Sequence, residues 1–143
     1  MDIKAAISEP KTWMIISSVV VVFMLGIGPM MVDSGDLADM AEDEFGEFYT
    51  NASDADKETI EESVEMDAYF FGATNIALAL FILGFAFLTE GTTRSKSAVF
   101  CGVSLILWAI YSQGELDMGA LGFYSAVSAP MIITGALHLK EDE

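Results

Sequence analysis

The chain has 143 residues, of which 53% are hydrophobic, and its formal net charge is −16. An ordinary soluble domain is rarely both so apolar and so acidic, so the two properties must be segregated along the sequence. One histidine and one cysteine exclude an internal disulfide, haem ligation by two histidines and a zinc site built from the usual N and S ligands. Six basic residues leave no basic stripe for nucleic acid.

Four runs of the sequence contain no Asp, Glu, Lys or Arg, and each is long enough to cross a hydrocarbon layer of about 30 Å as a helix. They cover residues 12–32, 68–89, 97–113 and 118–139. The sequence therefore predicts an all-α integral membrane four-helix bundle that forms a single membrane domain over residues 1–143. A cleaved signal peptide in the first run is the competing interpretation, but Met30, Met31 and Val32 provide no small-residue cleavage site.

The positions of the basic residues predict the orientation in the membrane. Lys57 lies on one predicted side, and the other five basic residues lie on the opposite side: Lys4, Lys11, Arg94, Lys96 and Lys140. Arg94 and Lys96 are assigned to a short link between the second and third spans. By the positive-inside rule the side with five basic residues is the cytoplasm. We therefore predict a plasma-membrane protein with cytoplasmic N and C termini and with residues 33–67 outside the cytoplasm.

Residues 33–67, here called the acidic segment, hold fourteen of the 22 acidic residues. Apolar residues recur in it every three or four positions, which is typical of an amphipathic helix with an anionic outer face. Ser53 followed by Asp56 resembles a capping box, so the sequence predicts one long helix from about Asp54 to Leu88, with Lys57 and Glu61 paired. We expect these pieces to form an acidic helical cap in which six side chains pack together: Leu37, Met40, Phe45, Phe48, Ile60 and Val64.

Three roles remain open for the acidic cap: a solvated surface, a docking face for a basic or metal-bearing partner, and direct cation binding. The residues considered for a hard cation are Asp33, Asp36 and Asp39, although they do not fit the EF-hand loop. For copper, the thioethers considered are those of Met30, Met31 and Met66. No metal site or cofactor is predicted from these patterns.

Polar side chains inside the predicted spans are candidates for function because each is unfavourable in lipid unless it is bonded. The candidates for a ligand or a helix contact are Thr74, Asn75, Ser128 and Pro130. Pro130 should kink its helix and free the carbonyl of Ala126, which Ser128 or Ser125 could help to satisfy. Small residues that allow close helix packing, within the bundle or in an oligomer, are Gly72, Ala73, Ala77, Gly122 and Ala126.

The second run, YFFGATNIALALFILGFAF, resembles that of the small four-helix membrane proteins of the DoxX-like group. The resemblance includes the chain length, the number of spans, the long first loop, the short basic turn and a glycine near the outer end of the second span. It implies a four-span helical fold, and association with oxidoreductase complexes is known for some members. It carries over no catalytic motif.

The expected function is non-enzymatic, because no Asp, Glu, Lys or Arg lies within a span and the acidic residues outside form no recognisable catalytic arrangement. We predict an accessory or structural subunit that assembles with itself, as a homo-oligomer, or with a larger membrane complex. The alternative is a binding or transport module for a lipid, a quinone or another apolar molecule near Asn75 and Pro130. The predicted partners include membrane lipid, which could remain bound, and exclude nucleic acid.

Overall fold

The computed structural model describes residues 8–112 and 118–141, and every regular element in them is helical. The α-helices are α1 (Pro10–Val20), α2 (Ser34–Phe45), α3 (Glu47–Thr50), α4 (Asp54–Leu88), α5 (Gly91–Ser112) and α6 (Met118–Glu141). A π-helical stretch, Val21–Ile27, and a 3-10 turn, Gly28–Met31, continue α1. The prediction of an all-α chain is confirmed for these residues.

Four of the helical stretches are long and apolar enough to cross a membrane, as predicted. They are Pro10–Met31, Asp54–Leu88, Gly91–Ser112 and Gly119–Lys140. Only 28 to 33% of the most apolar stretch of each is buried within the chain. Many large apolar side chains of these helices are exposed, among them Phe23, Phe81 and Leu107, which would be unfavourable in water because large apolar surfaces seldom stay exposed on soluble monomers.

The boundaries of α4 and α5 test the sequence reasoning most closely. The long helix α4 covers Asp54–Leu88, so its prediction is confirmed. The assignment of Arg94 and Lys96 to a link was wrong, because both lie inside α5, which begins at Gly91. Gly91 has φ +51°, a conformation that glycine adopts without a steric penalty, so the chain turns there and the polar residues that follow already belong to the helix.

The chain groups into two compact units, and the prediction of a single membrane domain stays a prediction. Unit 1 contains Met1–Val20 and Leu78–Glu143, and unit 2 contains Val21–Ala77. In unit 1, α5 packs most extensively against α6, and α1 contacts both. Ser17 at the α1–α6 contact donates a 2.8 Å hydrogen bond from Oγ to the carbonyl oxygen of Val127.

Glycines allow the backbones of α5 and α6 to approach closely in unit 1. A Cβ atom on Gly135 would lie 2.7 Å from the carbonyl oxygen of Ser95. On the other helix, a Cβ atom on Gly102 would lie 3.1 Å from the carbonyl oxygen of Ser128 and 2.5 Å from Cγ1 of Ile132. A larger residue at Gly135 would require movement of the backbone, and one at Gly102 would require the Ile132 side chain to move.

Unit 2 has a comparable approach between the π and 3-10 turns and α4. A Cβ atom on Gly72 would overlap the carbonyl oxygen of Gly26 and would lie 2.6 Å from Cγ of Met30. A Cβ atom on Gly26 would lie 2.6 Å from Cγ1 of Ile76. Gly72 is therefore a packing residue inside unit 2 rather than a site on its surface.

Candidate functional site

The helices of the acidic segment begin at side chains that bond their backbone amides. Oδ1 of Asp33 accepts hydrogen bonds from the amides of Gly35 at 2.9 Å and Asp36 at 3.1 Å, so Asp33 caps α2. At the start of α4, Ser53 Oγ donates to Asp56 Oδ2 at 2.6 Å and accepts from the Asp56 amide at 3.3 Å. Ser53 therefore caps α4 as predicted, but the Asp56 carboxylate accepts from the Ser53 hydroxyl, a different bond from the one that completes a capping box.

A small apolar cluster joins α2, α3 and the first half of α4. Its buried members are Leu37, Ala41, Tyr49 and Val64, and Ile60 packs against them. The sequence therefore identified Leu37, Ile60 and Val64 correctly.

Three of the residues expected in this cluster lie outside it, because Met40, Phe45 and Phe48 are exposed. Gly46, with φ +54°, ends α2 and starts the short α3 in a new direction, so Phe48 does not continue the apolar stripe of α2. Tyr49 turns inward in its place. Tyr49 lies four positions after Phe45, so a helical spacing was present, but the break at Gly46 decides that Tyr49 rather than Phe48 is buried.

Tyr49 connects the cluster to the charged surface. Its hydroxyl donates a hydrogen bond to Oε1 of Glu61, and Nζ of Lys57 lies 5.2 Å from the centre of its ring. The pKa of Tyr49 is raised to about 12. The hydrogen bond to Glu61 is the largest cause, and burial and nearby carboxylates make smaller contributions to the same rise. Lys57 and Glu61 were predicted to pair with each other, and both of them contact Tyr49.

A groove of about 580 Å³ lies beside this cluster in unit 2. Its lining consists of Glu47, Phe48, Asn51, Ala52, Asp56, Thr59 and Ile60. The Phe48 side chain is 70% exposed there, and Asn51 Nδ2 donates to the carbonyl oxygen of Glu47 at 2.8 Å. The groove therefore presents an aromatic ring between two acidic residues, Glu47 and Asp56.

The acidic residues considered for a hard cation are not grouped around one metal position. Among residues 8–112 and 118–141, no three His, Cys, Asp or Glu side chains are placed to hold one metal ion, so Asp33, Asp36 and Asp39 do not converge as hard-cation ligands. Their spacing of three reflects the start of α2, where Asp33 bonds backbone amides. Of the three methionines, Met30 packs at Gly72, whereas Met31 and Met66 are exposed.

The polar residues predicted in the spans bond mainly along their own helices. Asn75 is fully buried and donates from Nδ2 to the carbonyl oxygen of Phe71 at 2.9 Å. Thr74 donates to the carbonyl oxygen of Phe70 at 2.8 Å, and Thr134 donates to that of Pro130 at 2.7 Å. Such bonds to the preceding turn are the usual way for a helix to accommodate a polar side chain in an apolar region.

Ser128 departs from what the sequence suggested. Its hydroxyl is buried and has no hydrogen-bond partner in the described part of the chain, so the expected bond to the carbonyl that Pro130 frees is absent there. Ser128 instead lies where Gly102 of α5 meets the backbone of α6. Ser128, which was expected to bond the carbonyl freed by Pro130, therefore belongs to the contact between α5 and α6.

The predicted small residues separate into buried and exposed positions. Gly72 is buried within unit 2, whereas Ala73 and Ala77 are exposed. Gly122 and Ala126 are both exposed on α6, and no atom of the described chain lies within 4 Å of a Cβ atom placed on Gly122. Internal packing uses Gly26, Gly102 and Gly135 instead, none of which the sequence pattern identified.

Unit 1 contains two cavities of about 230 Å³ each. One is apolar and lies between α4 and α5, lined by Leu78, Phe81, Ile82, Phe100, Cys101, Ser104 and Leu105. The other is polar and lies where α1 and α5 begin and α6 ends, lined by Glu9, Pro10, Gly91, Arg94, Ser95 and His138. Neither cavity is lined by Asn75 or Pro130, the residues that the sequence suggested for a ligand.

Comparisons with known proteins identify no relative of this chain. No protein-family profile, no curated protein and no solved structure matches it. Functional reasoning therefore depends on the residues and the geometry described above.

Proposed function

We propose that this chain is a non-enzymatic integral membrane protein, an accessory or structural subunit that assembles with a second copy of itself or with a larger membrane complex. In this proposal the four long apolar helices cross the plasma membrane, both termini are cytoplasmic, and residues 33–67 form an acidic cap outside. The outward-facing apolar side chains of these helices support insertion, because lipid is the solvent in which such a surface is stable.

The exposed small residues on α6 carry the assembly proposal. Gly122 and Ala126 lie four positions apart on one exposed face, and the chain itself does not cover Gly122. In membranes, small residues at this spacing let two helices approach closely enough for backbone contact. The glycines that serve contacts inside unit 1 are others, Gly102 and Gly135. The Gly122–Ala126 face is therefore available to another chain.

Substitution by leucine tests this assembly. We expect Gly122→Leu combined with Ala126→Leu to dissociate the assembly, measured as the mass of the protein extracted gently from its own membrane. Gly84→Leu is the matched control, because Gly84 of α4 also has no atom within 4 Å of a Cβ position and gains the same side chain. Assemblies that persist in the double variant would refute the proposal. Gly72→Leu is unsuitable for the test, since Gly72 contacts Gly26 and Met30 inside unit 2.

The orientation has its own test, and the chain is well suited to it because the one cysteine, Cys101, is buried. A cysteine introduced as Glu58→Cys should react with a membrane-impermeant maleimide in intact cells. Lys140→Cys should react only after the cells are opened. Labelling of Lys140→Cys in intact cells, without reaction of Glu58→Cys, would reverse the proposed topology.

The apolar cavity supports a second candidate function, the binding of a lipid acyl chain or another apolar molecule between α4 and α5. Its seven lining residues include two phenylalanines, Phe81 and Phe100, and one hydroxyl, that of Ser104. At about 230 Å³ it is smaller than the usual pocket for a whole small molecule, which suits a segment of an acyl chain.

Filling the cavity separates this candidate from the assembly proposal. Ser104→Phe should remove an apolar mass retained by the native protein and should leave the subunit number unchanged. Val103→Phe is the control, because Val103 is an exposed neighbour in α5 that does not line the cavity. If Ser104→Phe retains the same bound mass as Val103→Phe, the ligand does not occupy this cavity.

A further inference from the structure

The polar cavity of unit 1 lies where three helix ends meet. Glu9 and Pro10 are at the start of α1, Gly91, Arg94 and Ser95 lie in the first turns of α5, and His138 lies near the end of α6. The cavity volume is about 230 Å³, enough for a phosphate-sized group with part of its substituent. The N-terminus of a long helix at its wall adds a partial positive charge, which favours an anion.

Arg94 lines this cavity, and its guanidinium group includes one donor without a partner. Its Nε atom is buried and has no hydrogen-bond partner within the described residues. The guanidinium group stays charged at any physiological pH, and a buried N–H of a charged group is unfavourable without an acceptor. Arginine bonds most strongly to planar or tetrahedral oxyanions, which accept two N–H groups at once. The donor that this chain leaves unused is therefore one suited to a phosphate.

His138 contributes a second group with a fixed orientation. Its Nδ1 atom lies 3.0 Å from the carbonyl oxygen of Thr134. A carbonyl can only accept a hydrogen bond, so Nδ1 carries a proton and Nε2 remains for another partner.

The surroundings of the cavity indicate where its ligand comes from. The apolar stretches Pro10–Met31 and Gly91–Ser112 begin beside it, and Gly119–Lys140 ends beside it. Lys11 also belongs to the first turn of α1, and its Nζ lies 4.7 Å from the centre of the Phe87 ring. In a chain of net charge −16, basic residues gathered at the ends of apolar helices match the headgroup layer of a membrane.

We propose that this cavity binds the phosphate group of an anionic membrane phospholipid, with Arg94 as its main hydrogen-bond donor. The lipid origin of the phosphate rests on the membrane insertion proposed above, whereas recognition of the phosphate itself rests on the cavity and on Arg94. Glu9, the one acidic residue in the lining, is exposed and opposes the anion. Its charge should limit the affinity of the site.

The test is the binding of phosphatidylglycerol to the full chain in detergent, measured by native mass spectrometry as bound lipid per subunit. Arg94→Gln should weaken binding by at least about tenfold, because it removes a charge-assisted, two-point contact. Lys96→Gln is the matched control: it removes the same charge from an exposed residue two positions along α5 that does not line the cavity. It should change binding by no more than about twofold. Equal losses in both variants would overturn the proposal.

A third variant guards against simple misfolding of Arg94→Gln. Glu9→Gln should strengthen binding by about two- to threefold through removal of a like charge, and unfolding cannot produce a gain. Weaker binding by Glu9→Gln would count against an anion site. The same spectra report subunit mass, so loss of lipid with the assembly intact separates this proposal from the assembly proposal.

Two further ligands identify the chemical group. Diacylglycerol, which has the same acyl chains and no phosphate, should not compete with phosphatidylglycerol. If it competes equally, the acyl chains and not the phosphate are recognised, and the proposal fails. Inorganic phosphate should displace the lipid only weakly; displacement at comparable concentration would assign the cavity to free phosphate and overturn the lipid origin.

Discussion

The acidic segment and the helices of unit 1 are stabilised by different means. In the acidic segment, polar side chains close the beginnings of helices, as Asp33 does for α2 and Ser53 for α4. In unit 1, glycines such as Gly102 and Gly135 allow close helix contact. Polar side chains bond to carbonyls one turn earlier in both regions, as Ser18 and Thr134 do in unit 1 and Asn51 does in the acidic segment. Both regions expose large apolar side chains, but unit 1 exposes more of them, and the acidic segment buries Leu37, Ala41, Tyr49 and Val64 in one cluster.

The membrane insertion proposed above explains this difference, because each region would then meet a different solvent. Water competes for the free amides at a helix start, so a side-chain cap there contributes to stability. In lipid no water replaces a missing hydrogen bond, so a hydroxyl bonds to the backbone and the helices gain contact through glycine. If this explanation is right, steric substitutions should dominate the energetics of unit 1, and polar substitutions should dominate those of the acidic segment.

The largest effect should come from a steric change in unit 1. Gly135→Leu places a side chain against the carbonyl oxygen of Ser95, only 2.7 Å from the new Cβ, and against Val99. Because α5 cannot move away from the new side chain without losing its contact with α6, we expect the free energy of unfolding to fall by about 3 kcal/mol or more. Thermal unfolding of the purified chain in detergent measures it.

Gly84→Leu again supplies the control for this prediction. A Cβ on Gly84 meets no atom of the described chain within 4 Å, so the leucine should fit without strain and gain helix propensity. Similar destabilisation by both variants would mean that leucine disturbs any glycine in these helices. The argument for close packing at Gly135 would then fail.

The sequence predicted the elements whose signal is local. Charge-free runs located the four long helices, and the absence of Gly and Pro between Asp54 and Gly72, followed by the second charge-free run, predicted the full extent of α4. The cap at Ser53 followed from the same local chemistry. Each of these patterns depends on neighbours a few positions apart, which a single sequence displays directly.

Contacts between distant parts of the chain could not be predicted from the sequence. Nothing local indicates that Gly102 and Gly135 face another helix while Gly122 and Ala126 stay exposed, because all four lie in equally apolar runs. The polar cavity was missed for the same reason, since Arg94 and His138 are 44 positions apart and belong to different helices. A charged residue just inside the end of an apolar helix was the one available signal.

A change of pH should affect the acidic segment through Tyr49. The bond to Glu61 raises the pKa of this phenol from 10.0 to about 12, so in alkali the unfolded chain loses the proton first. The folded state then holds more protons, so the stability that the raised pKa of Tyr49 contributes is complete below pH 10 and is lost as the pH rises through about 12. The fall should appear in unfolding measured between these two pH values, and Tyr49→Phe should reduce it.

Glu61→Gln identifies the cause of this pH dependence. The amide still accepts a hydrogen bond from Tyr49 but carries no charge, so the pKa of the phenol should move towards 10.0. The chain has four tyrosines, so the titration of Tyr49 is the difference between the ultraviolet phenolate absorbance of a chain with Tyr49 and that of the same chain carrying Tyr49→Phe. An unchanged titration would mean that burial, rather than Glu61, holds the proton on Tyr49.

The smallest effect should come from the cap of α2. Asp33→Ala removes the acceptor of two amide hydrogen bonds, from Gly35 and Asp36, and should cost about 1 kcal/mol. Hydrogen exchange at the first turn of α2 measures this local loss. Asp39→Ala removes the same charge from an exposed position within α2 and should have less than about half the effect. Equal effects would mean that net charge, rather than capping, controls this helix, and the contrast between the two regions would then rest on packing alone.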